Sequence, residues 1–577
     1  MKYFGFPAVL ALALVPTASA QTSSGCYLNP NGYQSGFRES FAVLNSNKLT
    51  RDSCRQYCSR FGTNYCAVQN GQYCSCGDTI LPGANKQANE QLCNKPCAGG
   101  GSGSCGATRY LSVFESLNNR SIGQWSRLIK FPMVPVAVAV LPKSGKLLAW
   151  SSGFPNRWTN AGNKMTYTAV YNPADGNVSS YLVQNTQHDM FCPGISIDAE
   201  GRIIVTGGSS AAKTSIYDAD KNGRLFTIGG TFSGFGTRNG ELYDGSTDTW
   251  TKLPGCPLQP MVMRQGLYPD AHGWLLGWKD GFVLQAGPSR NMNWYDTKDT
   301  GAVQSAGTRA QDGDAMCGVF VMYDAVAGKV FTYGGGQAYT GFAATTSAHI
   351  LTLGEPGQAV AAEKVGNGAY GRGFGNGVVL PDGTVFVVGG QGGGPMALFT
   401  DASATLVPEL FDPVRRTFTP LRAHATPRNY HSTVVLMPDA TVFSGGGGLC
   451  GEGCAANHFD GQFFSPPYLF LADGRTPAPR PEIALLSADT VRAGETYTIT
   501  MAERGTYTFS MIRTGTSTHA VNTDQRRIPL VAQEGDGINY QVTVPNDYGV
   551  ALPGYYMVFA ISETGVPCTA KFIKVAL

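Results

Sequence analysis

Between residues 146 and 446 the chain returns seven times to one phrase: a short apolar run that ends in small residues and is followed by a polar turn. It reads Lys146-Leu-Leu-Ala-Trp150, Ile203-Ile-Val-Thr-Gly-Gly208, Leu225-Phe-Thr-Ile-Gly-Gly230 and Trp274-Leu-Leu-Gly-Trp278. It returns as Val330-Phe-Thr-Tyr-Gly-Gly335, Val385-Phe-Val-Val-Gly-Gly390 and Val442-Phe-Ser-Gly-Gly446. Short runs of aliphatic and aromatic residues bounded by glycine predict strands, not helices. From about Pro477 the pattern changes to plain alternation, as in Thr496-Tyr-Thr-Ile-Thr500, Tyr540-Gln-Val-Thr-Val544 and Tyr555-Tyr-Met-Val-Phe559. Alternation of this kind predicts half-buried strands of a sandwich.

Repeats of roughly fifty residues, with about four strands each and Gly-Gly where backbones crowd near an axis, predict kelch-type β-propeller blades. Tyr217-Asp218, Tyr243-Asp244, Tyr323-Asp324 and Phe411-Asp412 recur among the phrases, as in such blades; unrelated hairpins are the alternative. The first glycine of each phrase, or its small counterpart, falls at 149, 207, 229, 277, 334, 389 and 445. One step of 22 residues stands among steps of 48 to 58, so about 28 residues of a blade are absent between Asp218 and Leu225. The expected fold is all-β: a seven-bladed propeller over 120–475 with one blade truncated, then an immunoglobulin-like sandwich over 477–577.

Composition agrees with that division. A chain of 577 residues exceeds one ordinary core, and 74 glycines with 33 prolines but only 14% charged residues mean many turns and few solvated helices. A net charge of +3 gives no footprint for nucleic acid. Lys2, the apolar run Tyr3 to Pro16 and the small residues Ala18-Ser19-Ala20 predict an export signal over 1–20, and no second run is long enough to span a bilayer. A secreted monomer is expected, with Asn119 and Asn177 as glycosylation acceptors.

Nine of the fifteen cysteines lie between Cys26 and Cys105. That density predicts a small disulfide-rich module over 25–115, with zinc as the competing reading for Cys54/Cys58 and Cys93/Cys97. Gly25-Cys26-Tyr27, Cys54-Arg-Gln-Tyr-Cys58, Tyr73-Cys74-Ser-Cys76-Gly77, Cys93-Asn-Lys-Pro-Cys97 and Cys105-Gly106 resemble a WSC domain. The resemblance makes Cys66 the extra cysteine and implies binding of a cell-wall or other polysaccharide; a stalk without ligand is the alternative.

Of seven histidines, two keep suggestive company: Tyr430-His431 heads an apolar run, and His519 lies in the polar loop Thr514-Gly-Thr-Ser-Thr-His-Ala-Val-Asn522. Imidazole and phenol suit Cu(II), although Tyr430 and His431 can share one ion only at a strand end or a distortion, because neighbours on a regular strand face opposite ways. The segments Gln187-His-Asp-Met-Phe-Cys-Pro-Gly194, Asp314-Ala-Met-Cys-Gly318, Asn429-Tyr-His-Ser432, Gly445-Gly-Gly-Gly-Leu-Cys-Gly451 and Val521-Asn-Thr-Asp-Gln-Arg-Arg-Ile-Pro529 resemble the galactose oxidase-like copper radical oxidases. That resemblance implies one copper ion held by His431, His519 and Tyr430, with Tyr430 taking the alcohol's proton. It implies Cys192 in a thioether to a second tyrosine that forms the radical, Phe232 in place of a stacking tryptophan, and a Cys450–Cys454 disulfide. The implied reaction converts a primary alcohol and O2 into an aldehyde and hydrogen peroxide.

The second tyrosine should lie in the interval that the spacing found short. Tyr217 is the only tyrosine there, and its Ser-Ile-Tyr-Asp setting is that of a blade's structural Tyr-Asp, so no residue is assigned to the radical. Either a coding segment has been omitted or the protein is a variant without activity, a wall- or glycan-binding propeller; the sheet edges that such a deletion exposes favour omission. Glyoxal oxidase-type aldehyde oxidation is a further alternative. Pro269 stands where galactose-specific members carry a sugar-binding arginine, and Tyr339-Thr340 where they carry Tyr-Gln, so aliphatic or aryl alcohols are expected.

Overall fold

The computed structural model describes residues 24–29, 37, 42–59, 63, 65–77, 80, 84–115, 122–159, 163–210, 214–217, 224–229, 238–261, 272–309, 311, 313–471, 473–533 and 536–577. The chain divides into two compact units, residues 1–119 and 120–577. The export signal, Asn119, Phe232 and the 266–270 loop lie outside the described residues.

The first unit is a five-stranded antiparallel sheet in the order Gly25–Leu28, Tyr110–Glu115, Tyr65–Gln69, Tyr73–Gly77, Ala42–Asn45, with one helix, Arg51–Ser59. Thr50 and Ser53 start that helix by exchanging side-chain and backbone hydrogen bonds. Disulfides Cys26–Cys93, Cys54–Cys74, Cys58–Cys76 and Cys97–Cys105 supply much of the core. These pairings consume the cysteines that a zinc site would have needed. Cys66 is buried outside any disulfide, and burial pushes its thiol up to about 12.

The second unit opens with seven small antiparallel sheets in chain order, here blades 1 to 7. Blades 1, 4, 5 and 6 have four strands of their own. Blade 7 takes its outer strand from the start of the unit, Gln124–Trp125 pairing with Ser465 and Phe464, which ties the two ends together. In blades 1, 5 and 6 the repeated phrase is the second strand. Gly334 shows why: its φ is +73°, and a Cβ there would stand 2.6 Å from the carbonyl of Arg372 on the next blade. Arg372 in turn is fully buried and holds Glu409 (2.8 Å) and the Gly389 carbonyl (2.9 Å), knitting the strands of blade 6.

One expected phrase is displaced. Trp274–Gly277 is the inner strand of blade 4, and the second strand is Phe282–Gly287. The 22-residue step is unaffected, and its meaning is now plain. Among the described residues blade 2 has three strands, Pro193–Ile197, Ile203–Gly207 and Thr214–Tyr217, and no outer strand. Among the described residues blade 3 begins on its glycine-ended strand, Arg224–Thr227, followed by Gly240–Asp244 and Thr249–Leu253, with no inner strand. The short step thus falls where the described residues show neither a fourth strand in blade 2 nor a strand before Arg224–Thr227 in blade 3. Tyr217 ends the third strand of blade 2, not an axis-facing one.

The last hundred residues form two facing sheets, one of four strands and one of five. A loop from this sandwich threads the propeller. Thr516–Thr518 adds a strand to the inner edge of blade 1, with Thr518 opposite Ala137. Ser517 Oγ accepts the Val434 amide of blade 7 (3.1 Å), Asp524 binds Ser196 and the Ile197 amide of blade 2, and Gln525 bonds Gly377 and Val379 of blade 6. Arg526 donates to the Gly277 carbonyl of blade 4 and bridges to Met322 of blade 5. The loop thus touches all six inner strands described. Among the described residues no helix is long and apolar enough to cross a membrane.

Candidate metal centre

The inner strands all present their first residues at one end of the ring. Cys192 directly precedes Pro193–Ile197 of blade 2, and His431 directly precedes Ser432–Leu436 of blade 7. His519 directly follows Thr516–Thr518, whose antiparallel register sets its end against the start of blade 1. Three distant stretches of chain therefore meet at one place. One ligand atom from each of Cys192, His431 and His519 lies within 4.8 Å of the others. All three residues have positive φ, +56°, +142° and +52°. Positive φ costs a side-chain-bearing residue free energy and is held only where surrounding structure enforces it. The positive φ at His431 breaks the strand's alternation, so the Tyr430 and His431 rings lie on one side of the chain.

Hydrogen bonds fix the histidine tautomers. His431 Nδ1 donates to the Gly448 carbonyl (2.7 Å), leaving Nε2 as a lone pair. That Nε2 is buried without a hydrogen-bond partner, and the residue is 1% exposed. Thr518 Oγ1 gives its proton to the Val136 carbonyl (2.9 Å), so it accepts from His519 Nδ1 (2.7 Å) and leaves that Nε2 as a lone pair as well. Cys192 Sγ is 3.0 Å from His519 Nε2. Burial pushes His431 down to about 3, against the Gly448 bond that favours its charged form, and holds His519 well below its ordinary value. Two neutral imidazoles converging beside a thiol form a donor set ready for a cation.

Tyr430 stacks on His431 with ring centres 3.7 Å apart. Phe399, Phe374 and Tyr339 stand edge-on around it at 5.2, 5.3 and 5.7 Å. Tyr339 is hydrogen-bonded to Tyr430, and burial followed by that neighbour holds its phenol well above the usual range. Phe191 sets its edge on His431 at 5.5 Å, backed by Trp158. The Cys450–Cys454 disulfide closes the loop after Gly448, and Asn177 lies exposed on the outer strand of blade 1.

His272, which the sequence reading did not single out, stacks on His519 at 4.6 Å. It stands two residues before the inner strand of blade 4, as Cys317 and Phe374 do before those of blades 5 and 6. Position one or two residues before an inner strand is the signal that finds the site wall. Among the described residues blade 3 has no such strand and contributes no such residue. A cavity of about 1390 Å³ is bounded by Cys192, Gly194, Phe226, Leu275, Tyr430 and Asp524.

Fold and site together define a propeller protein with a buried histidine, thiol and phenol centre at one end of its axis. Residues 480–575 match the galactose oxidase-like early set domain family, and residues 23–107 match the WSC domain family. The galactose oxidase of Gibberella zeae is 46% identical over 485 residues, covering 79% of this chain and 71% of that one. A fungal alcohol oxidase of the AA5 family, solved in complex with copper, is 61% identical with a TM-score of 0.77, covering 79% of this chain and all of that one. Aldehyde oxidase GLOX of Vitis pseudoreticulata is 29% identical over 221 residues, 36% of this chain and 41% of that one. The chain belongs to the galactose oxidase family. The 485 positions aligned with the Gibberella enzyme take up 79% of this chain, about 456 residues, so about 29 aligned positions find no residue here.

Proposed function

We propose that the centre is a copper site for oxidising primary alcohols to aldehydes, with O2 reduced to hydrogen peroxide. One observation carries this: the buried, partnerless Nε2 of His431 points into a site shared with His519 and Cys192, beside the Tyr430 ring. Imidazole and phenol donors fit copper. Copper when bound supplies one one-electron acceptor, and a two-electron oxidation needs a second. The family's second acceptor is a tyrosine joined by a thioether to a cysteine, which the resemblance puts at Cys192; the tyrosine's expected place, between Asp218 and Leu225, lies outside the described residues but for its end.

The chain's own residues have separable roles. His431 and His519 present lone pairs whose direction is locked by Gly448 and Thr518. Tyr430 takes the hydroxyl proton of the alcohol. Tyr339, kept protonated by burial, neighbours Tyr430 and helps to fix its orientation. Phe191, Phe374 and Phe399 give the site apolar walls, which suit aliphatic or aryl alcohols better than sugars. The alcohol oxidase relative, matched over its whole length, favours alcohols over the aldehydes named for the plant relative. The export signal and the WSC module suit work outside the cell on a wall or other polysaccharide surface.

A peroxide-coupled assay with butanol, benzyl alcohol and galactose tests the reading on two copper-loaded forms. One is the 577-residue chain. The other carries the tyrosine-bearing segment of about 28 residues restored after Asp218, as genomic DNA supplies it. The completed form produces peroxide, more from butanol and benzyl alcohol than from galactose, and the 577-residue form produces none. A completed form that binds copper and stays inert refutes the reading.

A further inference from the structure

Among the described residues blade 3 has no inner strand, and Cys192 Sγ lies 3.0 Å from His519 Nε2. The geometry points to a second identity for this centre: in the 577-residue chain, Cys192 is itself a metal ligand, and the site is a His2Cys centre for zinc or Cu(I). The inference rests on the metal-site reading above, but it replaces the donor set.

Zinc held by one thiolate and two imidazoles, at metal–ligand distances near 2.3 and 2.0–2.1 Å, needs its donors about 3.3–3.6 Å apart. The three donors here already lie within 4.8 Å of one another, with Sγ and His519 Nε2 at 3.0 Å. Small side-chain rotations close that set. Both imidazoles turn Nε2 inward because Gly448 and Thr518 hold Nδ1. The positive φ of all three residues fixes their directions before any ion arrives, so little ordering entropy is left to lose. His431 Nε2, buried and lacking a partner, is the position where a cation removes an existing penalty. On binding, the thiol releases its proton to solvent, and no electron moves. A thiolate donor shifts preference away from Cu(II) toward the softer Cu(I) and toward Zn(II). The fourth position opens onto the cavity that Cys192, Tyr430 and His272 line, as an exchangeable position would.

Cobalt(II) reports such a site, because a bound thiolate adds an intense near-ultraviolet charge-transfer band. The metal-free 577-residue chain is titrated with Co(II) and then with Zn(II). The band should reach its limit at one equivalent, vanish on zinc addition, be absent in Cys192→Ser and persist in Cys256→Ser. Zinc affinity should fall in Cys192→Ser by more than the roughly 10–100-fold that loss of a ligand's outer-shell partner costs. As a readout that needs no variant, bound zinc should protect Cys192 from iodoacetamide, mapped by peptide mass. If metal binds without the band, if Cys192→Ser binds unchanged while His431→Gln does not, or if Cys192 is alkylated equally with zinc present, the thiolate ligand is refuted and the copper reading stands. If the chain binds no metal and His431→Gln changes nothing, both fail.

Discussion

Cys192 Sγ and His519 Nε2 stand 3.0 Å apart although 327 residues separate them. One belongs to the entry of a propeller blade and the other to a loop from the sandwich, so their contact measures how firmly the sandwich is seated. The seat depends on Asp524, which is 2% exposed and takes bonds from Arg513 (2.5 Å), Thr516, Ser196 and the Ile197 amide.

Asp524→Ala leaves Arg513 buried without its carboxylate, and losing one partner of such a pair costs about 3–5 kcal/mol. Urea denaturation should show that loss, with metal affinity reduced in the same variant because the loop carries His519. Unchanged stability would mean that the loop is held by strand pairing alone.

Restoring the missing segment should raise the denaturant m-value as well as the midpoint, because two added strands bury surface that the short blades leave open. Guanidinium unfolding of both forms makes the comparison. An equal m-value would show that blades 2 and 3 are complete in the 577-residue form.

How far the sequence alone reaches is visible in these two blades. Glycine pairs repeat because the next blade's backbone passes too close for a side chain, so the spacing carried the blade count and the gap. It misread Trp274–Gly277, since an inner strand and a second strand can look alike when both are short and apolar. His431, His519, Tyr430 and Cys192 were legible as motifs. His272 was not, because a single histidine before a strand has no local pattern; only the ring places it against His519. The positive φ values that aim the ligands also leave no mark, since none of the three residues is glycine.

Acid should weaken the fold through His424. It is 2% exposed, donates Nδ1–H to the Thr426 carbonyl (2.6 Å) and faces the edge of Trp125. Burial lowers it from 6.5 to about 3, so between those values the unfolded chain carries a proton that the native one does not. Stability therefore falls as pH drops through that window, by about 1.4 kcal/mol per pH unit from this group. His424→Gln should flatten the slope by about one proton in denaturation at pH 4, 5 and 6. An identical slope would contradict the assignment.

Gly334→Ala should destabilise the propeller by about 1–3 kcal/mol, since φ is +73° and the new methyl meets the Arg372 carbonyl. Thermal unfolding reads this directly, with Gly176→Ala on an open turn as the comparison; equal losses would remove the crowding argument.

Every chemical conclusion depends on one ion sitting where the two imidazoles converge. A copper-loaded crystal, with anomalous difference maps recorded at the copper edge, locates it. The account predicts a single peak about 2.0–2.1 Å from Nε2 of both His431 and His519. A peak elsewhere, or rings that fail to share it, would contradict the account.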